Sequence, residues 1–413
     1  MDLRPNIVDQ CIPTGGGSPD PRRTPSSGPP ASGETNPKLL PRRDVAIAAA
    51  ATAFSIVAPQ SVRGSQANSK ISVGLIGAGG RGSYDASIVH SDPRAQITAL
   101  SDLFDDRFES AQQRIKVTNP RLYKDYEKLL ASPDIDAVVI ATPPFEHPRM
   151  LEAAVQAKKH IYCEKPMGVD LAGCQRVIAA SRKCDPKKNI SVGFQQRYGP
   201  VYLEAYKRLQ SGQIGELANA RGFWISNDPF QRRPYDDPKV EKLRNWFCYR
   251  EYSGDFIVEQ DCHNFDVLHW FLGGPPISAV GYGGRKVRTS MEILDHLSLT
   301  FEFPNNIHVN FEANQLTPRG WSRIGEEFTG TKGVLETSRV RMIHTKGPND
   351  REQIDSKRDI TYDGIEAFLQ RVQTGDIENV AERAAISTLF AILGRTAIYN
   401  KREATWKGEF GTL

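Results

Sequence analysis

Cysteine is scarce in this chain, and none of the six stands in C-x-x-C spacing. With Cys11 set apart near the N-terminus, five remain. That is neither a disulfide framework nor a structural zinc site. No apolar run reaches the roughly 18 residues a bilayer span needs. Charge of one sign is also lacking. The net charge is +4, and residues 1–67 alone hold seven basic against five acidic side chains. The remainder leaves no footprint for nucleic acid or an acidic membrane surface. No internal repeat of the kind that builds solenoids is visible. What is present is ordinary globular usage, 39% hydrophobic and 25% charged over 413 residues, which excludes a wholly disordered or collagen-like chain. The length implies two or three domains, each large enough to bury a core.

Residues 1–67 read as a leader. The first 41 hold nine prolines and no hydrophobic periodicity, the signature of disorder. Arg42-Arg43 then precedes the uncharged, Ala-rich stretch Val45–Ala58, and Ser65-Gln66-Ala67 offers the small residues of a cleavage site. Paired arginines favour the twin-arginine route, which exports folded proteins, although Asp44-Val45 stands where Phe-Leu is usual. The expectation is a periplasmic or otherwise extracytoplasmic protein, or a cytoplasmic one if the leader is not a signal.

The most informative stretch follows. Ile71–Ile76 is a short apolar strand, and Gly77, Gly79 and Gly82 then form G-x-G-x-x-G before a helical segment Ser83–Ser91. Gly77 permits a tight turn, Gly79 lets backbone approach a pyrophosphate, and Gly82 allows close packing of the helix whose amides face the phosphates. The whole run Gly77-Ala78-Gly79-Gly80-Arg81-Gly82 is a candidate phosphate cradle. A second strand, Gln96–Ser101, ends at Asp102, twenty residues beyond Gly82. A carboxylate there accepts both ribose hydroxyls of NAD and repels the 2′-phosphate of NADP, so NAD is favoured; a helix N-cap is the plainer alternative, and nearby Arg107 softens the preference.

Strands and helices keep alternating. Strand Ala137–Ala141 ends in Thr142-Pro143, helix Pro148–Ala157 follows, and strand His160–Cys163 ends in Glu164-Lys165-Pro166. Helix Leu171–Cys184 and strand Ile190–Phe194 complete residues 68–195, read as a Rossmann domain with a doubly wound parallel sheet. Ligands in such sheets bind beyond the carboxyl ends of the strands, where Thr142, Pro143, Glu164 and Lys165 all lie.

Gly-Leu-Ile-Gly-Ala-Gly-Gly-Arg-Gly, Ala141-Thr142-Pro143 and Glu164-Lys165-Pro166 together resemble the Gfo/Idh/MocA oxidoreductases, a family named after glucose–fructose oxidoreductase and inositol dehydrogenase. The resemblance covers about residues 70–400. It implies a Rossmann domain, a C-terminal α/β domain with a large, mostly antiparallel open sheet, NAD(P), sugar or polyol chemistry, and homodimers or homotetramers. The chemistry needs a hydride acceptor and a group for the hydroxyl proton. Lys165 is placed to be that base or to polarise the oxygen, with burial and a positive nicotinamide lowering its pKa.

A second element, Gly254–Trp270, reads as one helix with apolar positions at Phe256, Ile257, Phe265, Val267 and Leu268. Glu259 and His263, four apart, then share a face, and Asp266 follows three later to orient the His263 ring. By the resemblance His263 hydrogen-bonds the reacting hydroxyl and relays its proton, while Glu259 binds a neighbouring hydroxyl or tunes Lys165. Many family members have Asp at the Glu259 position. A metal held by Glu259, His263 and His269 is the weaker reading, because no Cys/His set has ligand spacing. Gln195, Arg197 and Tyr198 follow the strand that passes the nicotinamide in the family. Arg197 either holds a substrate oxygen or makes an interdomain ion pair. Asn245 and Trp246 offer an amide for hydroxyls and a face for sugar C–H groups, or, for Trp246, core packing. His147 stands near the cofactor or starts a helix.

From residue 196 to 413 the pattern becomes half-buried strands at Ala218–Ser226, Ile277–Gly283, His296–Phe303, Ile307–Ala313, Glu326–Gly330 and Val334–Thr337, then helices Tyr362–Gln373 and Val380–Asn400. This sheet is expected to carry the subunit interface. The functional expectation is NAD-dependent hydride transfer at a carbinol carbon of a sugar, polyol or derivative. The alternatives are a glycosidase that oxidises its sugar transiently with recycled NAD, and a nucleotide-binding sensor without turnover.

Overall fold

The computed structural model describes residues 70–412. The export signal expected over 1–67, with Arg42-Arg43, lies outside the described residues, as does Cys11. The first layer is a six-stranded parallel sheet, β1 (Ile71–Ile76), β2 (Ala95–Ser101), β3 (Arg121–Tyr123), β4 (Ala137–Ile140), β5 (His160–Cys163) and β6 (Ile190–Val192), in the order β3-β2-β1-β4-β5-β6. Its crossovers are α1 (Gly80–Ser91), α2 (Asp105–Ile115), α3 (Tyr126–Leu130), α4 (His147–Gln156) and α5 (Leu171–Arg182). The strands are continuous apolar runs because both faces are covered. Val138 and Ile140 of β4 face one core with Leu151, Ala154 and Val177, while Ala137 and Val139 face the other with Ala86, Val89 and Phe108. Strand order reverses between β1 and β4, which opens a crevice at their carboxyl ends.

The chain then runs through α6 (Pro200–Gln210), β7 (Leu217–Ile225), α7 (Pro238–Arg244), α8 (Arg250–Ser253), α9 (Phe256–Glu259) and α10 (Cys262–Leu272). Seven further strands follow: β8 (Ser278–Gly284), β9 (His296–Phe303), β10 (Ile307–Asn314), β11 (Arg323–Gly330), β12 (Gly333–Thr337), β13 (Arg341–Gly347) and β14 (Asp350–Asp355). Helices α11 (Ile360–Thr374) and α12 (Ala381–Asn400), the short β15 (Ala404–Thr405) and α13 (Trp406–Phe410) end it. The second sheet has nine strands in the order β14-β13-β12-β11-β7-β10-β9-β8-β15, antiparallel except for the β7–β10 pair. The expected fold class is the one observed. Leu297, Leu299, Phe301 and Phe303 of β9 point into the core, and His296, Ser298 and Glu302 point out. Phe265 of α10 packs on Phe301, Phe311 and Phe390 with ring centroids 5.5, 4.5 and 4.8 Å away, so Phe265→Ala would cost roughly 3–5 kcal/mol.

Three departures from the sequence reading have local causes. β3, β13 and β14 were not expected, because Arg121–Tyr123 is only three residues long and β14 is a charged edge strand, Asp350–Asp355, with no apolar period. α11 returns to the first sheet, where Ile365, Phe368 and Leu369 join the core of β1 and α1, so a boundary at residue 196 divides the sequence but not the packing. The single helix expected over Gly254–Trp270 is broken at Gln260-Asp261 into α9 and α10, with the Asp261 amide reaching the carbonyl of Phe256.

A buried imidazole makes this fold sensitive to acid. His160 begins β5 and its Nδ1 accepts from the Asn189 amide at 3.2 Å. Burial, reinforced by the charge of Lys188, pushes its pKa from 6.5 down to about 4. The unfolded chain therefore binds this proton first. The stabilisation is complete above about pH 6.5 and is lost progressively as pH falls toward 4. His160→Gln is expected to flatten the fall of Tm across that window in scanning calorimetry; parallel curves for the two proteins would remove His160 from the acid response.

Candidate active site

A cleft of about 510 Å³ runs from the carboxyl ends of β1, β2, β4 and β5 to the second sheet. At one end β1 stops at Ile76 and Gly77 turns the chain with φ +92°, where a Cβ would sit 2.6 Å from the carbonyl oxygen of Ala141. A Cβ on Gly82 would fall 2.0 Å from the Gly77 carbonyl oxygen, whereas one on Gly79 or Gly80 would meet nothing within 4 Å. The loop is thus tight on its inner side and open toward the cleft. α1 starts at Gly80 with no side-chain cap, so its first-turn N–H groups are left for an anion. Asp102 accepts from the amides of Ala78 (2.9 Å) and Phe104 (3.0 Å), which holds its carboxylate beside the loop. Arg244 of α7 reaches across this end, paired with Asp106 at 2.6 and 2.7 Å and lying 3.8 Å from the Phe104 ring centroid. An open glycine cradle, uncapped amides and a carboxylate held at the end of β2 fit a dinucleotide.

The floor is a buried charge network. Glu164 accepts from Arg81 Nε (3.0 Å) and Nη2 (2.8 Å), and Arg81 also lies 3.2 Å from Asp85. Burial opposes the Glu164 charge, but Arg81 and Lys165 hold its pKa below the usual value. Asp85, buried and facing Glu164, is pushed well above it, so one charge rather than two is kept beside Arg81. The Gln195 amide, turned with its nitrogen to the Gly193 carbonyl, offers its oxygen to Arg81. Gly193 carries no side chain because a Cβ would lie 2.4 Å from Glu164 Oε1. Thr142 and Pro143 form the lip after β4, and His147 braces it, its ring 2.7 Å from the Pro166 carbonyl and 2.8 Å from that of Thr142. Burial pushes the His147 pKa down against the pull of those two carbonyls. His147 is therefore both the first residue of α4 and part of the cleft wall.

At the centre Lys165 Nζ donates to the Glu259 carbonyl (2.5 Å) and to Glu259 Oε1 (3.1 Å). Burial lowers the Lys165 pKa, as the sequence reading anticipated, but Glu259, Cys262 and Glu164 together outweigh burial and the pKa lies above the ordinary value. Lys165 is charged in this structure. His263 lines the same wall, stacked on Trp224 (centroids 5.9 Å apart) with Phe194 at its edge. Burial, then the charges of Lys165 and Arg339, depress its pKa well below the usual value, so the ring is neutral. Its Nε2 lies 3.3 Å from Arg339 Nη2. Arginine only donates, so Nε2 accepts and the ring proton sits on Nδ1.

Four expected roles are not met by the positions found. Asp266 does not orient His263; it is paired with Arg197 at 2.8 Å and accepts from Ser387 at 2.7 Å, because α10 turns it toward α12. Arg197 is therefore the interdomain ion-pair residue, and Arg197 and Tyr198 lie with Asp266 outside the main cleft. Asn245 is buried, its amide spent on the Arg233 carbonyl (2.7 Å) and Glu241 (2.8 Å). Trp246 next to it does line the cleft. Glu259 and His263 do not form a same-face pair, since the helix breaks between them; Gln260 there is held through its oxygen by Gln315 at 2.6 Å. Trp224, Gln260 and Arg339 were missed. Arg339 sits in the β12–β13 turn, 76 residues from His263, and no local pattern signals that meeting. Among the described residues no group of three or more His, Cys, Asp or Glu is arranged to hold a metal ion.

Residues 71–194 match a family model described as "Oxidoreductase family, NAD-binding Rossmann fold", and residues 202–336 match the "GFO/IDH/MocA C-terminal domain". The chain is 35% identical over 268 residues to an inositol 2-dehydrogenase of Acidothermus cellulolyticus, covering 64% of this chain and 72% of that protein. It is 24% identical over 345 residues to a myo-inositol 2-dehydrogenase of Thermotoga maritima, covering 80% and 97%. In fold it is similar to levoglucosan dehydrogenase in complex with NADH and levoglucosan, with TM-score 0.68 and 17% identity over 82% of this chain and 99% of that one.

The glycine geometry separates folding from cofactor binding. Gly79→Ala, whose Cβ enters open space, is expected to keep the wild-type Tm while weakening NAD binding by about tenfold or more, since it blocks backbone approach to the pyrophosphate. Gly82→Ala, whose Cβ strikes the Gly77 carbonyl, is expected to lower Tm as well. Calorimetric titration with NAD and a thermal melt of each variant check both; undiminished NAD affinity in Gly79→Ala would move the pyrophosphate away from this loop.

Proposed function

Because the chain belongs to the GFO/IDH/MocA oxidoreductase family, we propose that it transfers hydride between NAD and a carbinol carbon of a sugar or polyol. The relatives named for inositol and levoglucosan substrates support that substrate class, and they do not favour a glycosidase that recycles NAD in place. The observation that carries the reading is the meeting of Lys165, Glu259 and His263 on the wall of the cleft that holds the glycine cradle. Bound NAD supplies the hydride acceptor for oxidation and the donor for reduction.

This chain's residues have then to manage one proton and one developing negative charge. Lys165, kept charged by Glu259, donates a hydrogen bond to the carbinol oxygen and stabilises the alkoxide character that grows as hydride leaves. That assigns Lys165 the polarising role rather than the base role. Neutral His263, on the same cleft wall, takes the hydroxyl proton at Nε2 once Arg339 releases that nitrogen. Glu259 acts through Lys165. Trp246 lines the cleft with an aromatic face suited to sugar C–H groups. Assembly as a homodimer or homotetramer through the second sheet is part of the proposal, supported by the outward-facing side of β9.

Lys165→Ala is expected to leave NAD binding nearly intact while kcat falls by about two or more orders of magnitude. Glu259→Gln removes the largest of the charges that raise the Lys165 pKa against burial, so that pKa falls and the alkaline limb of the kcat/KM profile should move to lower pH. Steady-state NADH formation across a pH series, with NAD titrations alongside, reads both. Full activity in Lys165→Ala would remove that residue from the chemistry, and an unmoved alkaline limb would detach Glu259 from Lys165.

A further inference from the structure

Beyond the Lys165–Glu259 pair, the substrate half of the cleft is rich in hydrogen-bond donors. Arg339 lines it with no carboxylate partner among the described residues; its one bond is to His263 Nε2, and its Nε is buried and unpaired. The acids whose charges act on Arg339 are bonded to other groups, Glu164 to Arg81 among them. Glu326 of β11 accepts from Asn264 (2.7 Å) and Thr337 (2.6 Å), and Asp359 accepts from Tyr84 (2.6 Å) and the Thr361 amide (2.9 Å). His263 Nδ1, which carries the ring proton, is also buried without a partner, and so is Trp224 Nε1 on the ring stacked against it. Gln260 has its oxygen taken by Gln315, which leaves its amide N–H groups. The Lys165–Glu259 pair is neutral in sum, and Arg339 makes no ion pair among the described residues, the charges of Asp359 and Glu164 reaching it only through space.

A guanidinium that is largely buried, unpaired and surrounded by orphaned donors is costly unless a ligand completes it. A neutral polyol matches less fully, since each hydroxyl brings a donor of its own and Glu259 is the acceptor that faces it here. A carboxylate accepts only, is planar, and meets one guanidinium through two parallel bonds; a phosphate calls for more cationic partners than this end supplies. We infer that the substrate is a sugar acid, a polyhydroxy chain or ring whose carboxylate docks on Arg339 beside His263 and Trp224 while its carbinol lies at Lys165. The inference rests on the oxidoreductase reading and narrows it to acidic substrates. Docking also has a consequence for the chemistry. As the carboxylate draws Arg339 away, His263 Nε2 loses its donor and becomes free to accept the carbinol proton.

The test compares uronates and aldonates with their neutral amides, matched polyols and sugar phosphates, all with the full-length wild-type protein and NAD. The expected result is a kcat/KM about 10- to 100-fold higher for an acid than for its amide, as for a hydrogen bond to a charged group. Arg339→Gln should bring that ratio near one, mainly through KM of the acid. Should Arg339→Gln not fold, calorimetric binding of a uronate and its uronamide to the NADH-loaded wild type decides the matter: tighter uronate binding supports the inference, and equal binding overturns it. Preference for neutral polyols overturns the inference and leaves the oxidoreductase reading standing. A sugar phosphate favoured over every carboxylate overturns the choice of oxyanion. Absence of NADH from any carbohydrate counts against the oxidoreductase reading itself, and the binding comparison still judges the acid site.

Discussion

The ammonium of Lys165, bonded to both the carbonyl and the carboxylate of Glu259, is the joint on which the rest of the site depends. It ties the tip of β5 to the end of α9, hence the parallel sheet to the second domain. It also sets the electrostatics of the cleft. An amine buried alone would shed its proton, and an unpaired carboxylate there would gain one. Together they keep a positive donor at the centre of the cleft, and that charge in turn helps hold His263 neutral.

The same economy extends through the buried network. Arg81 serves Glu164 and Asp85 at once, yet only Glu164 is held in the charged form. Arg197 and Asp266 neutralise each other away from the cleft, with Ser387 satisfying the carboxylate further. These pairs stabilise only as completed sets, since stripping one partner leaves a desolvated charge. Among the described residues Arg339 bonds to a neutral ring alone, which in the proposal above leaves its guanidinium for a ligand.

Much of the cofactor half was legible from residues alone. Gly77, Gly79 and Gly82, a strand before and a helix after, and Asp102 at the next strand end form a local pattern whose spacing is dictated by one turn and one helix start. In the structure Gly77 takes a positive φ and the Cβ positions at Gly79 and Gly80 are open. The substrate half was less legible. Helical periodicity over Gly254–Trp270 placed Glu259, His263 and Asp266 on one face, but Lys165, Gln315 and Arg197 each draw one of the polar residues there in a different direction, and the helix breaks at Gln260-Asp261. Periodicity registers burial, not the partner that a buried polar group finds.

By itself the sequence determined the two sheets, the dinucleotide cradle and the presence of Lys165 at a strand tip, because strand period, glycine conformation and turn chemistry act between residues a few positions apart. Tertiary structure alone decided that Glu259 charges Lys165, that Asp266 serves Arg197 instead of His263, and that Arg339 reaches His263 from the β12–β13 turn. Those choices depend on which side chains meet across the domain junction, and desolvation in a shared cavity is a property of that meeting rather than of any segment of chain.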